Sequence, residues 1–195
     1  MTRWIRAALL GLGVMVMAPA AANAATIFIN FDTYNEFDTP GEQGVTFTNA
    51  IVLTSIVAGG NLNEIDFPPV SDFNVAVDNG GQMILDFSTP VVSFSGFFTY
   101  NTPLVLTAFN GVNPVDTTPS GLVPNLGANE LLSLASAGGI TRIVILGDVL
   151  GGSFAVDDIT AETRVRVAPE PASMWLLGLG AAALVRRRVK HQFVA

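Results

Sequence analysis

The chain has 195 residues, half of them apolar and only 13% charged, so it holds one ordinary domain with terminal extensions and cannot be a large multidomain enzyme. Residues 25–168 carry fifteen acidic side chains against three arginines (Arg142, Arg164, Arg166) and no lysine, a formal charge of −12, which repels nucleic acid and anionic lipid headgroups. Cysteine is absent and the one histidine, His191, lies near the C-terminus, so disulfides, thiolate chemistry, histidine zinc sites and histidine-dependent triads are excluded from the middle of the chain.

Residues 1–24 read as a secretory signal peptide. Arg3 and Arg6 form a basic start, 7–21 is an uncharged apolar run whose helical tendency ends at Pro19, and Ala22-Asn23-Ala24 supplies small residues at the two positions a signal peptidase must accommodate. Cleavage is expected before Ala25. An uncleaved anchor would need a longer apolar core than this one.

Residues 25–168 show short β-rich runs separated by Gly, Pro, Asn and Asp. The pattern predicts strands over 26–31, 44–48, 51–57, 73–77, 82–87, 91–100, 103–109, 131–134, 140–146 and 153–161. In 91–100, Phe94, Gly96, Phe98 and Tyr100 share one face, and Ser93, Ser95, Phe97 and Thr99 the other. In the last strand, strict alternation puts Phe154 and Val156 with Asp158, opposite Ala155, Asp157 and Ile159. No stretch sustains a long helical period; 129–137 comes nearest and is read as strand plus turn. So many short strands predict an all-β fold, an antiparallel sandwich or barrel, with most of its twelve phenylalanines in the core. The runs around Phe31-Asp32, Gly44 to Phe47, Phe94 to Tyr100 and Phe154 to Ile159 resemble jelly-roll domains, which implies a β-sandwich of that kind.

Candidate sites in this domain are few. Adjacent Asp157 and Asp158 point to opposite faces of a strand, so one of them needs a cation or hydrogen-bond donors. Backbone amides at a strand end would suffice. The resemblance to jelly-roll carbohydrate-binding modules implies instead a structural calcium joining Asp158 to Asp32, with Glu42 or a carbonyl nearby. No cofactor is required otherwise. The 61–72 loop lacks the EF-hand order and reads as a solvated loop. Both tryptophans, Trp4 and Trp175, lie outside the domain, which leaves Tyr34 and Tyr100 as its amphipathic rings for glycan contact. Pairing Asp32 or Glu36 with Asp157 as acid and base would make a glycosidase, the least supported reading.

The C-terminus has its own order. Pro169-Glu170-Pro171 interrupts regular structure. Residues 172–185 carry no charge, and Arg186, Arg187, Arg188 and Lys190 follow. As a helix the apolar run spans about 21 Å, a thin crossing of a roughly 30 Å hydrocarbon core that snorkelling arginines would assist. The basic cluster places the C-terminus in the cytoplasm and the domain outside.

Together these features resemble a PEP-CTERM sorting signal, carried by Pro169, Glu170, Pro171, the apolar run and Arg186 to Arg188 over residues 169–195. The resemblance implies that exosortase recognises the tail and cleaves near the tripeptide, so the chain is a substrate and has no catalytic residue of its own. It further implies an inner-membrane anchor before processing, then a cell-surface or extracellular-matrix location in a Gram-negative bacterium that makes exopolysaccharide. Signal peptidase and exosortase are the expected partners, and exopolysaccharide a further one. The function expected is a non-enzymatic exported surface or matrix protein; the alternative is a carbohydrate-binding module.

Overall fold

The computed structural model describes residues 24–121 and 125–164. The expected signal-peptide core, the Pro-Glu-Pro tripeptide, the apolar span and the basic tail lie outside the described residues. Among those described, no helix is long and apolar enough to cross a membrane.

Nine antiparallel strands make the domain: β1 Thr26–Ile29, β2 Val45–Thr48, β3 Ala50–Thr54, β4 Asn74–Asp78, β5 Met83–Tyr100, β6 Val105–Asn110, β7 Asn113–Pro119, β8 Asn125–Leu146 and β9 Phe154–Thr163. A 3-10 turn, Ile56–Ala58, follows β3. The fold is the expected all-β antiparallel sandwich. Two long strands carry it. The first part of β5 pairs with β2, and its second part pairs with β9. The last part of β8 lies between β5 and β6, while its earlier part pairs with β5 alone. One layer is therefore β2-β5-β8-β6-β7 and the other β3-β4-β9-β5-β8, with β1 added beside the end of β9.

The sequence reading cut each long strand in two, because Pro90 and the Gly138-Gly139 pair look like turns. They are bends inside continuous strands, where the β5–β8 register shifts between Asp86 and Val91 and again between Val91 and Ser93. Strand β7 was not expected, since Pro114, Pro119 and Asp116 read as turn residues. It is an outermost strand, the place where proline costs no ladder bond.

The two inner faces meet in one apolar core. Val45, Phe47, Met83, Leu85, Leu106, Ile143 and Ile145 come from one layer, and Ile29, Val52, Phe94, Phe98, Phe154, Val156 and Ile159 from the other. A smaller cluster of Leu62, Val75, Val77 and Ala155 sits outside β3 and β4, where the 55–72 segment lies across them. That segment is thus packed through Leu62, which is 2% exposed, and is not the fully solvated loop its composition suggests.

Strand edges are closed by neighbouring groups. Gln43 Nε2 donates to the Phe28 carbonyl at 2.6 Å and its Oε1 accepts the Phe28 N–H at 3.3 Å, so one side-chain amide stands in for a neighbouring strand beside β1. The Phe37 N–H donates to the Val52 carbonyl, and the Val52 N–H to the Asp38 carbonyl, which covers β3. Asp116 accepts the Ala135 N–H at 2.8 Å and Thr118 donates to the Ser133 carbonyl at 2.8 Å, which covers β8 where its ladder with β6 has ended.

Candidate functional site

The polar chemistry of the domain gathers where the 30–44 and 55–73 loops approach β9. The cause is a bulge. Asp158 has a positive φ of 47°, and three steps along β9, from Asp157 to Thr160, are matched by two steps of β5, from Ser95 to Phe97. The extra residue returns Ile159 to the core face beside Val156, both fully buried. Strict alternation had put Ile159 on the opposite face. Gly96 lies across from the bulge, and a Cβ there would come within 3.1 Å of Val156 Cγ2 and 3.4 Å of Ile159 Cγ1.

At the bulge the Asp157 carboxylate is 1% exposed. Its Oδ2 accepts the N–H groups of Val70 at 2.7 Å and Ser71 at 3.0 Å, and its Oδ1 accepts the Asp158 N–H at 2.8 Å. Burial pushes its pKa up to about 7; the three amide donors and the neighbouring Asp158 charge modify that shift without reversing it. Amide donors, the simpler of the two arrangements expected for the Asp157-Asp158 pair, are what Asp157 has.

Ser71 joins the other two aspartates. Its hydroxyl donates to Asp158 Oδ1 at 2.9 Å, and Asp32 Oδ2 lies 3.4 Å from the same oxygen. Asp32 Oδ1 is buried with no partner among the described residues. Burial, then the nearby Asp72 charge, raises the Asp32 pKa above the ordinary aspartate value, against the pull of the Ser71 hydroxyl and backbone donors. The structure thus brings Asp32 and Asp158 to one hydroxyl.

Glu42 does not join them. It sits at the turn into β2, where its carbonyl accepts the Val45 N–H. Calcium takes six to eight oxygens, and among the described residues no three His, Cys, Asp or Glu side chains form a group able to hold a metal ion. The three-carboxylate set Asp32, Glu42 and Asp158 is therefore not assembled among the described residues, which leaves the version of the expected site with a backbone carbonyl as its third ligand.

Beside this knot a cleft of about 310 Å³ is lined by Asp32, Tyr34, Glu36, Asp72, Phe73 and Asn74 among others. Tyr34 is half-buried, with its ring 6.4 Å from that of Phe31 and its hydroxyl accepting the Gly41 N–H. Glu36 is engaged by the Asn61 N–H at 2.6 Å and the Asn61 side-chain amide at 2.9 Å. Tyr100 belongs elsewhere. It is 1% exposed and donates to Glu130 Oε2 at 2.5 Å, so its ring is core and offers no face to a sugar. Ala25, the expected first residue after cleavage, donates from its backbone nitrogen to Thr163 Oγ1 at 2.9 Å. Ser71, Asp72 and Asn74 were not singled out from sequence, and a serine among loop residues carries no signal that would have found it.

The class defined so far is an all-β sandwich with an acidic surface cleft. Residues 167–189 match the PEP-CTERM protein-sorting motif. The chain therefore carries that sorting signal, which marks an exported protein held by a C-terminal membrane anchor until exosortase processes it. No curated protein matches the chain.

Among solved structures, the K2 cleaved adhesin domain of Lys-gingipain is similar at 12% identity, covering 70% of this chain and 99% of that one, with a TM-score of 0.48. A cyclase from Fischerella sp. TAU is similar at 12% identity over 74% of this chain and 100% of that one, with a TM-score of 0.46. A family 29 carbohydrate-binding module from Piromyces equi gives 8% identity, 72% and 91% coverage and a TM-score of 0.42.

Proposed function

We propose that this protein is a non-enzymatic component of the bacterial cell surface or extracellular matrix, delivered there through exosortase processing of its C-terminal signal. The observation that carries the proposal is the sorting motif at 167–189, which agrees with the export signal expected at residues 1–24. The domain's excess of carboxylates and lack of lysine suit solubility among anionic polymers, with calcium acting as a shared counter-ion and not as a resident cofactor. The non-enzymatic part is supported by the state of two of the three carboxylates named for hydrolysis. Asp157 is buried on backbone amides and Glu36 is engaged by Asn61.

Mass spectrometry of the native protein from the surface fraction tests this reading. The expected product begins at Ala25 and ends near Pro169 to Pro171. A released, water-soluble product that still ends at Ala195 would overturn it.

A second reading, recognition of a glycan, is favoured by one observation. Hydroxyl groups on the outer face of β9, β5 and β8 line a groove, and among the described residues these side chains make no bond to another protein group.

A further inference from the structure

Building on the carbohydrate reading, we propose that the groove across β9, β5 and β8 is a binding site for a neutral polysaccharide chain. The site is separate from the Asp32–Asp158 knot and from the tyrosines considered in the sequence. It is a recess of about 440 Å³ lined by Ser93, Ser95, Ser133, Thr160, Glu162 and Asp116 together with neighbouring backbone.

Register explains why these groups converge. Ser95 is paired with Thr160 on one side and Ser133 on the other, and Ser93 with Glu162 and Ala135. Inward-facing Phe94 and Leu134 belong to the core, so the alternating positions Ser93, Ser95, Ser133 and Ala135 all face outward. Adjacent strands lie about 4.8 Å apart. The Thr160–Ser95–Ser133 row therefore presents a hydroxyl at each strand step.

Three features select the ligand. First, the serine and threonine hydroxyls both donate and accept, and none of the four bonds to protein through its side chain among the described residues, so each is available to a hydroxyl-rich partner. Second, the charged groups lining the groove are the carboxylates of Glu162 and Asp116, while Arg164, two residues beyond Glu162, donates to the Ala137 carbonyl. The two carboxylates accept from sugar hydroxyls and repel a uronate chain. Third, Phe28 pairs with Thr160 at the β1 end of the row and is 48% exposed, which supplies an apolar surface for the C–H face of a sugar. The floor consists of small side chains where a solvated sheet face would ordinarily carry long charged ones, and this leaves the recess open.

The test is affinity electrophoresis of the exported protein in gels containing hydroxyethyl cellulose, galactomannan or polygalacturonate. The wild type is expected to be retarded by at least one of the neutral polymers and not by the uronate. Ser133→Lys fills the groove from an exposed position, and the Ser95→Ala/Thr160→Ala pair removes two hydroxyls. Each is expected to weaken retardation by about tenfold or more, the equivalent of one or two lost hydrogen bonds, while circular dichroism stays unchanged. Retardation of the wild type that persists in both variants would overturn the groove assignment and leave the carbohydrate reading standing. Preferential retardation by polygalacturonate would overturn the stated ligand class. No retardation in any gel would overturn both the groove and the reading on which it rests.

Discussion

The Asp157 carboxylate on β9 accepts the backbone N–H of Val70 at 2.7 Å, across 87 positions of sequence. That bond, with the one from Ser71, fixes the end of the 55–73 loop to the bulge of the last strand. The loop's position therefore depends on a carboxyl group whose titration has been moved towards neutrality by burial.

The sign of the resulting pH dependence follows directly. The pKa is about 7 in the folded state against 3.8 for an ordinary aspartate, so between those limits the native protein binds the proton more tightly than the unfolded chain. The stability contributed by this group is present in full below about pH 4, falls as pH rises towards 7, and is constant above that. Thermal melts of wild type and Asp157→Asn across pH 4 to 8 should show a wild-type advantage that is largest at the acid end and shrinks towards pH 7. A difference that grows with pH would reverse the sign.

Asp78 is 2% exposed and accepts the Ser153 N–H at 2.8 Å, the Ser153 hydroxyl at 3.0 Å and the Phe154 N–H at 3.0 Å. Asp78→Ala would leave these buried donors without an acceptor, at a cost of about 1–3 kcal/mol for each unsatisfied group. Urea unfolding should show a lowered midpoint at an unchanged m-value, equivalent to a total loss of at least about 2 kcal/mol in unfolding free energy.

Gly96→Ala adds a methyl group opposite the β9 bulge, 3.1 Å from Val156 Cγ2 and 3.3 Å from Phe98 Cε2. Both neighbours are fully buried, so the contact is relieved only by shifting the core, and destabilisation of about 1–3 kcal/mol is expected in chemical denaturation. A neutral result would mean that β9 can move outward at the bulge.

Gln43→Ala removes the side-chain amide that covers the β1 edge. Hydrogen exchange should quicken at the Phe28 amide, with a loss of about 1 kcal/mol in global stability. Amides in the middle of β5 should show only that global change.

Calcium, added to the exported protein at millimolar concentration, should produce no saturable rise in melting temperature, because ligand-linked stabilisation needs a site present in the native state and Glu42 does not join Asp32 and Asp158. A saturable rise abolished by Asp158→Asn would show a calcium site at Ser71 after all.

The fold class and much of the strand placement were legible because they are properties of local pattern. Phe94, Phe98 and Tyr100 alternate with Ser93, Ser95 and Thr99, and a period of two is visible without any knowledge of partners. The sorting signal was legible for a related reason. A reader enzyme and a bilayer recognise an order of prolines, apolar residues and arginines along the chain, and that order is complete in one dimension.

The candidate sites were less legible. Tyr34 and Tyr100 are equivalent as residue types, yet one lines a cleft and the other lies 1% exposed in the core. Asp157 and Asp158 looked like a simple alternating pair until a bulge placed an extra residue between Val156 and Ile159. Ser71 acquired its role only by arriving beside two aspartates distant in sequence.

The sequence by itself determined that this chain is an exported all-β protein with a sorting tail, because hydrophobic period, turn residues and charge order act over a few neighbouring positions. The tertiary structure decided which carboxylates are buried, which aromatic ring is exposed and where hydroxyls share a groove. Those outcomes depend on the register between strands and on a one-residue irregularity in β9, and both are fixed by packing between segments separated by scores of residues.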